Sequence, residues 1–107
     1  MIEQNAKRKR GITEANAYLQ QMRAAVPYLY NPESPYFGRQ GHLRLARECG
    51  TALNDFTDEA QRKILSCSYS MIYVTGCALR PLLDATEWIA EMQRQIRPAS
   101  PFAECVP

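Results

Sequence analysis

A single histidine, five glycines and no long uninterrupted apolar run are the first things this 107-residue sequence is short of. Histidine is the side chain most used as a general base near neutral pH. The one present, His42, falls at an expected helix start, where a capping or surface role accounts for it. A Cys–His nucleophile pair with Cys49 is excluded by reach, because seven helical positions put the two about 10 Å apart. No glycine-rich phosphate loop occurs. The four cysteines, Cys49, Cys67, Cys77 and Cys105, include no C-x2-C or C-x4-C pair, so no zinc site is expected. The longest uncharged stretch, 64–79, is sixteen residues and carries three Ser and a Thr, short of the about 20 apolar residues a bilayer span needs. The N-terminal MIEQNAKRKRG has a basic run but no apolar stretch behind it, which argues against a secretory leader. Alternating β-type patterning is almost absent. The chain reads as non-enzymatic, with no cofactor, no metal and no membrane.

What is there fits one small domain of all-α class. Residues 1–10 hold four basic and one acidic side chain, while the rest holds nine basic and ten acidic. The positive charge therefore belongs to the run Lys7-Arg8-Lys9-Arg10, and the body is close to neutral. This divides the chain into a disordered basic tail (1–11), a helical body (12–97) and a mobile Pro-rich tail (98–107). Cys67 and Cys77, on one helix, would stand about 15 Å apart, too far for a disulfide. They read as small structural core residues of a reducing compartment, and the expected location is the cytoplasm.

Four stretches carry helical periodicity. In the first, 13–26, Ile12, Ala15, Leu19, Met22 and Val26 recur at spacings of 3, 4, 3 and 4, and Pro27 stops it. Residues 27–41, punctuated by Pro and Gly, form a loop. The second helix, 42–55, buries Leu45, Cys49, Ala52 and Phe56, with Leu53 beside them. Thr57 reads as an N-cap for the third, which runs to Leu79, with Asp58 and Glu59 in its first turn. Its apolar residues cover more than one face, which makes it the central helix of a four-helix, bundle-like domain. Arg80-Pro81 breaks the chain. The fourth helix, 82–97, repeats the 3, 4, 3, 4 spacing with Leu82, Ala85, Ile89, Met92 and Ile96.

Three features are candidates for function. Ala46-x-x-x-Gly50 resembles the small-residue pair of a helix-turn-helix, but Glu59 then stands where an apolar residue is required, so the folded body is not expected to bind DNA. The segment 28–37 holds four of the ten aromatics, Tyr28, Tyr30, Tyr36 and Phe37, a secondary patch for a partner or a self-packed loop. The fourth helix carries Leu83 and Trp88 off its core stripe, and Trp is the side chain most enriched at binding hot spots. The expected interface is therefore Leu82, Leu83, Trp88, Ile89, Met92 and Ile96, with Tyr73 from the third helix.

The layout of basic tail, Tyr/Pro loop, 67–79 helix and 88–96 amphipathic helix resembles the small helical antiactivators of proteobacterial quorum sensing. Those proteins bind a LuxR-type transcription regulator and stop it dimerising on DNA. The resemblance implies a non-enzymatic, homodimeric bacterial inhibitor whose working surface is an apolar helix face. It assigns no individual residue. The rival expectations are a small DNA-associated protein using the basic tail, or a phage-type inhibitor of another cellular machine.

Overall fold

The computed structural model describes residues 8–72 and 82–97. It is all-α: α1 (Ile12–Ala24), the single turn α2 (Val26–Leu29), α3 (Gly38–Ala52), a 3-10 turn (Leu53–Asp55), α4 (Asp58–Ile72) and α5 (Ala85–Arg94). Tyr73, Val74, Cys77, Leu79, Pro81 and Cys105 lie outside the described residues, as do 1–7 and 98–107.

α1 follows its spacing: Ala15, Leu19 and Met22 are buried, Ile12 is half-buried at its start, and Val26, half-buried, falls beyond its end in α2. Pro27 does end it, but the chain re-enters a helical turn with Pro27 in the first turn of α2, where its missing N–H costs nothing. The loop is thus shorter than expected, residues 30–37. It is built from local side-chain bonds, Asn31 Oδ1 accepting from Glu33 N at 2.9 Å and Ser34 Oγ from Tyr36 N at 3.0 Å. It then folds back on α3 so closely that a Cβ at Gly41 would lie 2.0 Å from the Tyr36 carbonyl carbon.

α3 starts four residues before the expected point. That shift puts His42 in the second turn, facing inward and fully buried, rather than at a capped surface start. Its Nδ1–H donates to Gly38 O at 2.7 Å, and its ring meets Tyr30 edge-on at 5.7 Å. Burial lowers its pKa from the ordinary 6.5. Thr57 caps α4 as expected, its Oγ1 accepting from Ala60 N at 3.2 Å.

α4 is not apolar all round. Over its described length it buries a single stripe, Ala60, Ile64, Ser68 and Ile72, while Leu65, Cys67, Tyr69 and Met71 stay half-buried. Cys67 is accordingly a flanking residue, whereas Cys49 is buried, its thiol pKa pushed up to about 11 by desolvation.

α5 begins at Ala85, three residues later than its spacing suggests, because Asp84 and Glu87 form a reciprocal cap: Asp84 Oδ1 accepts from Glu87 N at 2.8 Å, and Glu87 Oε1 from Asp84 N at 3.4 Å. Its buried stripe is rotated by one position. Trp88, Met92 and Glu91 face the core, and Ile89 and Ile96 flank it half-buried. One position is about 100° of rotation. The physical reason is Trp88: it has the largest area to bury, and its indole Nε1–H finds Ser68 Oγ at 2.8 Å inside the core. Ser68 Oγ in turn donates to Met92 Sδ at 3.4 Å, so this buried polar chain joins α4 to α5.

α3 and α5 run parallel, shown by the order of their contacts: Arg39 with Glu87, Arg47 with Glu91, and Asn54 with Gln95 O. α1 and α4 start at a common end, where Arg10 N donates to Asp55 O and Thr57 N to Arg10 O, both at 2.8 Å. The Arg10 guanidinium lies over the Phe56 ring, 4.4 Å from its centroid. The expected disordered tail therefore stops short of its assigned boundary: residues 9–11 belong to the folded body.

Candidate interaction surface

Three of the expected interface residues cannot meet a partner in this fold. Leu83, Trp88 and Met92 are 1%, 0% and 0% exposed, all in one core with Leu19, Ile64 and Phe56. Ile89 and Ile96 pack half-buried against that core. Only Leu82, 38% exposed, presents a substantial apolar surface. Tyr73 falls outside the described residues.

The aromatic segment divides in the same way. Tyr30 and Tyr36 pack against the core. Tyr36 OH also donates to Glu48 on α3, a bond that raises the Tyr36 pKa, and Glu48 pairs with Arg44 at 3.3 Å. Tyr28 and Phe37, 54% and 47% exposed, point to solvent. The self-packed reading thus describes two of the four, and the other two are exposed.

Phe37 and Leu82 are at the same end of the molecule. Phe37 is the residue before α3, and two positions on, Arg39 reaches across to α5. Its Nη1 donates to Leu82 O at 3.0 Å, and its Nη2 pairs with the Glu87 carboxylate. That guanidinium holds the Glu87 carboxyl below the usual carboxylate range and raises the Arg39 pKa in return. Along the same side, α3 and α5 enclose an open groove of about 310 Å³ whose lining includes Leu43 and Ala90 together with the charged Arg39, Glu87, Glu91 and Arg94.

The charged lining of the groove was hidden from sequence reasoning. Glu91, only 8% exposed, is held between Arg47 of α3 at 3.1 Å and Arg94 one turn along α5. A carboxylate that far out of water needs such partners. Gly50 and Ala46, the apparent helix-turn-helix pair, have a different use: Ala46 is fully buried, and a Cβ on Gly50 would lie 2.2 Å from Met92 O. Their smallness lets α5 lie directly on α3.

Among the described residues no group of three or more His, Cys, Asp or Glu is placed to hold a metal ion, and no helix is long and apolar enough to cross a membrane. No protein-family model, curated protein or solved structure matches the chain.

Proposed function

We propose that this chain is a non-enzymatic regulatory protein of the cytoplasm that works by binding another protein, and that it binds through the end where α3 and α5 begin. The observation that supports this reading is the exposure of Phe37 and Leu82 at that end, beside a groove lined by both apolar and charged side chains. Exposed aromatic and aliphatic side chains ringed by polar groups are the usual anatomy of a recognition patch. The helix face expected from sequence is replaced as the working surface, since its largest members are spent on the core.

The first partner to test is the one the family resemblance implies, a LuxR-type transcription regulator whose dimerisation would be blocked. A partner helix laid along the groove would set apolar residues on Leu43 and Ala90, with Phe37 and Leu82 as anchors. Homodimerisation through the same face is the competing use of it.

The test is affinity measurement between the purified chain and such a regulator for Phe37→Ser and Leu82→Ser, with circular dichroism and sedimentation alongside. Both positions are exposed, so helix content should not change. Loss of one anchor should weaken binding by about thirtyfold, the equivalent of about 2 kcal/mol. Folded variants that bind as tightly as the parent chain would overturn this surface.

A further inference from the structure

The opposite end of the α3–α5 pair carries a different kind of surface. Asn54, in the 3-10 turn after α3, gathers the two remote ends of the described chain. Its Nδ2 donates to Gln95 O at 3.0 Å, its Oδ1 accepts from Arg97 N at 2.8 Å, and its main-chain oxygen accepts from Lys9 Nζ at 3.2 Å. With the backbone of Arg10 tied to Asp55 and Thr57, residues 8–9 and 97 are brought side by side around a cleft of about 250 Å³ lined by Arg8, Lys9, Asn54, Asp55 and Arg97. Neither the Arg8 nor the Arg97 guanidinium makes an ion pair among the described residues, and Asp55 is the single carboxylate of the lining. The lining thus carries three cations and one anion.

We propose that this cleft binds a phosphate monoester. A monoester carries a charge of about −1.5 to −2 at neutral pH and three strong acceptor oxygens, which matches the net +2 of the lining. Two guanidinium forks can each bind oxygens in bidentate fashion, and the Lys9 ammonium keeps donors to spare after its bond to Asn54. The donors come from segments fixed by backbone and Asn54 bonds, so part of the ordering cost is met before the ligand arrives. A long polyanion suits the cleft less well, because Asp55, Asp58 and Glu59 are exposed within five residues of one another beside it. The monoester has two chemical sources, a small phosphorylated metabolite or a phosphorylated side chain of a protein.

The test uses the whole chain, isotope-labelled for NMR, titrated at fixed ionic strength with inorganic phosphate, adenosine monophosphate, a phosphoserine hexapeptide and a 20-mer DNA duplex. Saturable shifts confined to residues around 8, 9, 54, 55 and 97 are expected for phosphate. The monoester that saturates at the lower concentration names the source. Arg8→Gln and Arg97→Gln should each weaken binding by about fivefold, the upper range for a solvent-exposed pair, and Asp55→Asn should tighten it. These side chains support no other group, so the variants keep their fold. Shifts that sodium chloride reproduces, no saturation with any monoester, or an Arg97→Gln chain that binds like the parent would overturn the proposal. Saturation by DNA alone would overturn it in favour of a nucleic-acid site.

Discussion

Between α1 and α4 the apolar side chains that meet the core are Ala15, Leu19 and Met22 on one helix and Ala60, Ile64 and Ile72 on the other. Between α3 and α5 the contacts include Arg39 with Glu87 and Arg47 with Glu91, and Gly50 sits under the Met92 backbone. None of the ion pairs among the described residues spans α1 and α4. One pair is held by burial, which is strong, non-directional and indifferent to salt. The other also buries Leu45, Ala46 and Cys49 of α3 and Trp88 and Met92 of α5, and adds close backbone approach and charges that fix register while adding little net energy. The contrast teaches where adjustment is cheap: the polar seam can be retuned at its rim, and the apolar one cannot.

The largest expected effect tests the apolar seam. Ile64→Ala should destabilise the chain by about 2–5 kcal/mol, read by urea denaturation, because the cavity lies in a fully buried stripe. The loss should be the same at low and high salt. Gly50→Ala comes next, at about 1–3 kcal/mol, because the new methyl meets main-chain atoms of α5 rather than a side chain that can move. A neutral result would break the claim that α3 and α5 are held by close approach. Arg39→Gln should shift the denaturation midpoint less than either of these and lose even that shift in concentrated salt, since both partners are largely exposed. A large, salt-independent loss would erase the distinction between the seams.

How legible these seams were from the sequence follows the same division. Ala15, Leu19 and Met22 could be placed correctly because a 3-4 spacing of apolar residues has one helical solution. On α5 two overlapping stripes share Met92, one with Ile89 and Ile96 and the other with Trp88, and spacing alone does not rank them. The need of the Trp88 N–H for Ser68, twenty positions away, decides it. The start of α5 was placed three residues early, at Leu82, because the apolar spacing runs past Asp84 and Glu87, whose capping-box spacing marks the true start. Glu91 between Arg47 and Arg94 was not legible, because nothing in a sequence marks one charge as the partner of another 44 positions off. Phe37 was recognisable as part of an aromatic cluster, but which members of it face water depended on where α3 begins. The same misplaced helix start hid the burial of His42.

The smallest expected effect concerns that residue. His42 is the sole histidine, so its ring resonances can be followed without ambiguity. Burial sets its folded-state pKa below the ordinary 6.5. Between the two values the unfolded chain holds more protons than the folded one. Stability is therefore unaffected above pH 6.5 and falls as pH drops from 6.5 toward the folded value. NMR should show the ring titrating below 6.5, with a parallel decline in the thermal midpoint. A ring that titrates at or above 6.5 would mean that the Tyr30 segment leaves it accessible to water.

The clasp of Arg10 onto Asp55 and Thr57 also bears on how the chain comes off the ribosome. α1 is synthesised well before its docking surface: the contacts at its start close over 45 positions, as the Lys9–Asn54 bond does. At about 5–20 residues per second, the stripe of Ala15, Leu19 and Met22 waits several seconds for α4 to be made. During that interval the nascent helix offers an apolar face to whatever is near. A delay in translation between α1 and α4 would lengthen that exposure, so misassembly in the cell should be more sensitive to the pace of decoding over residues 25–57 than to that over the chain beyond α4.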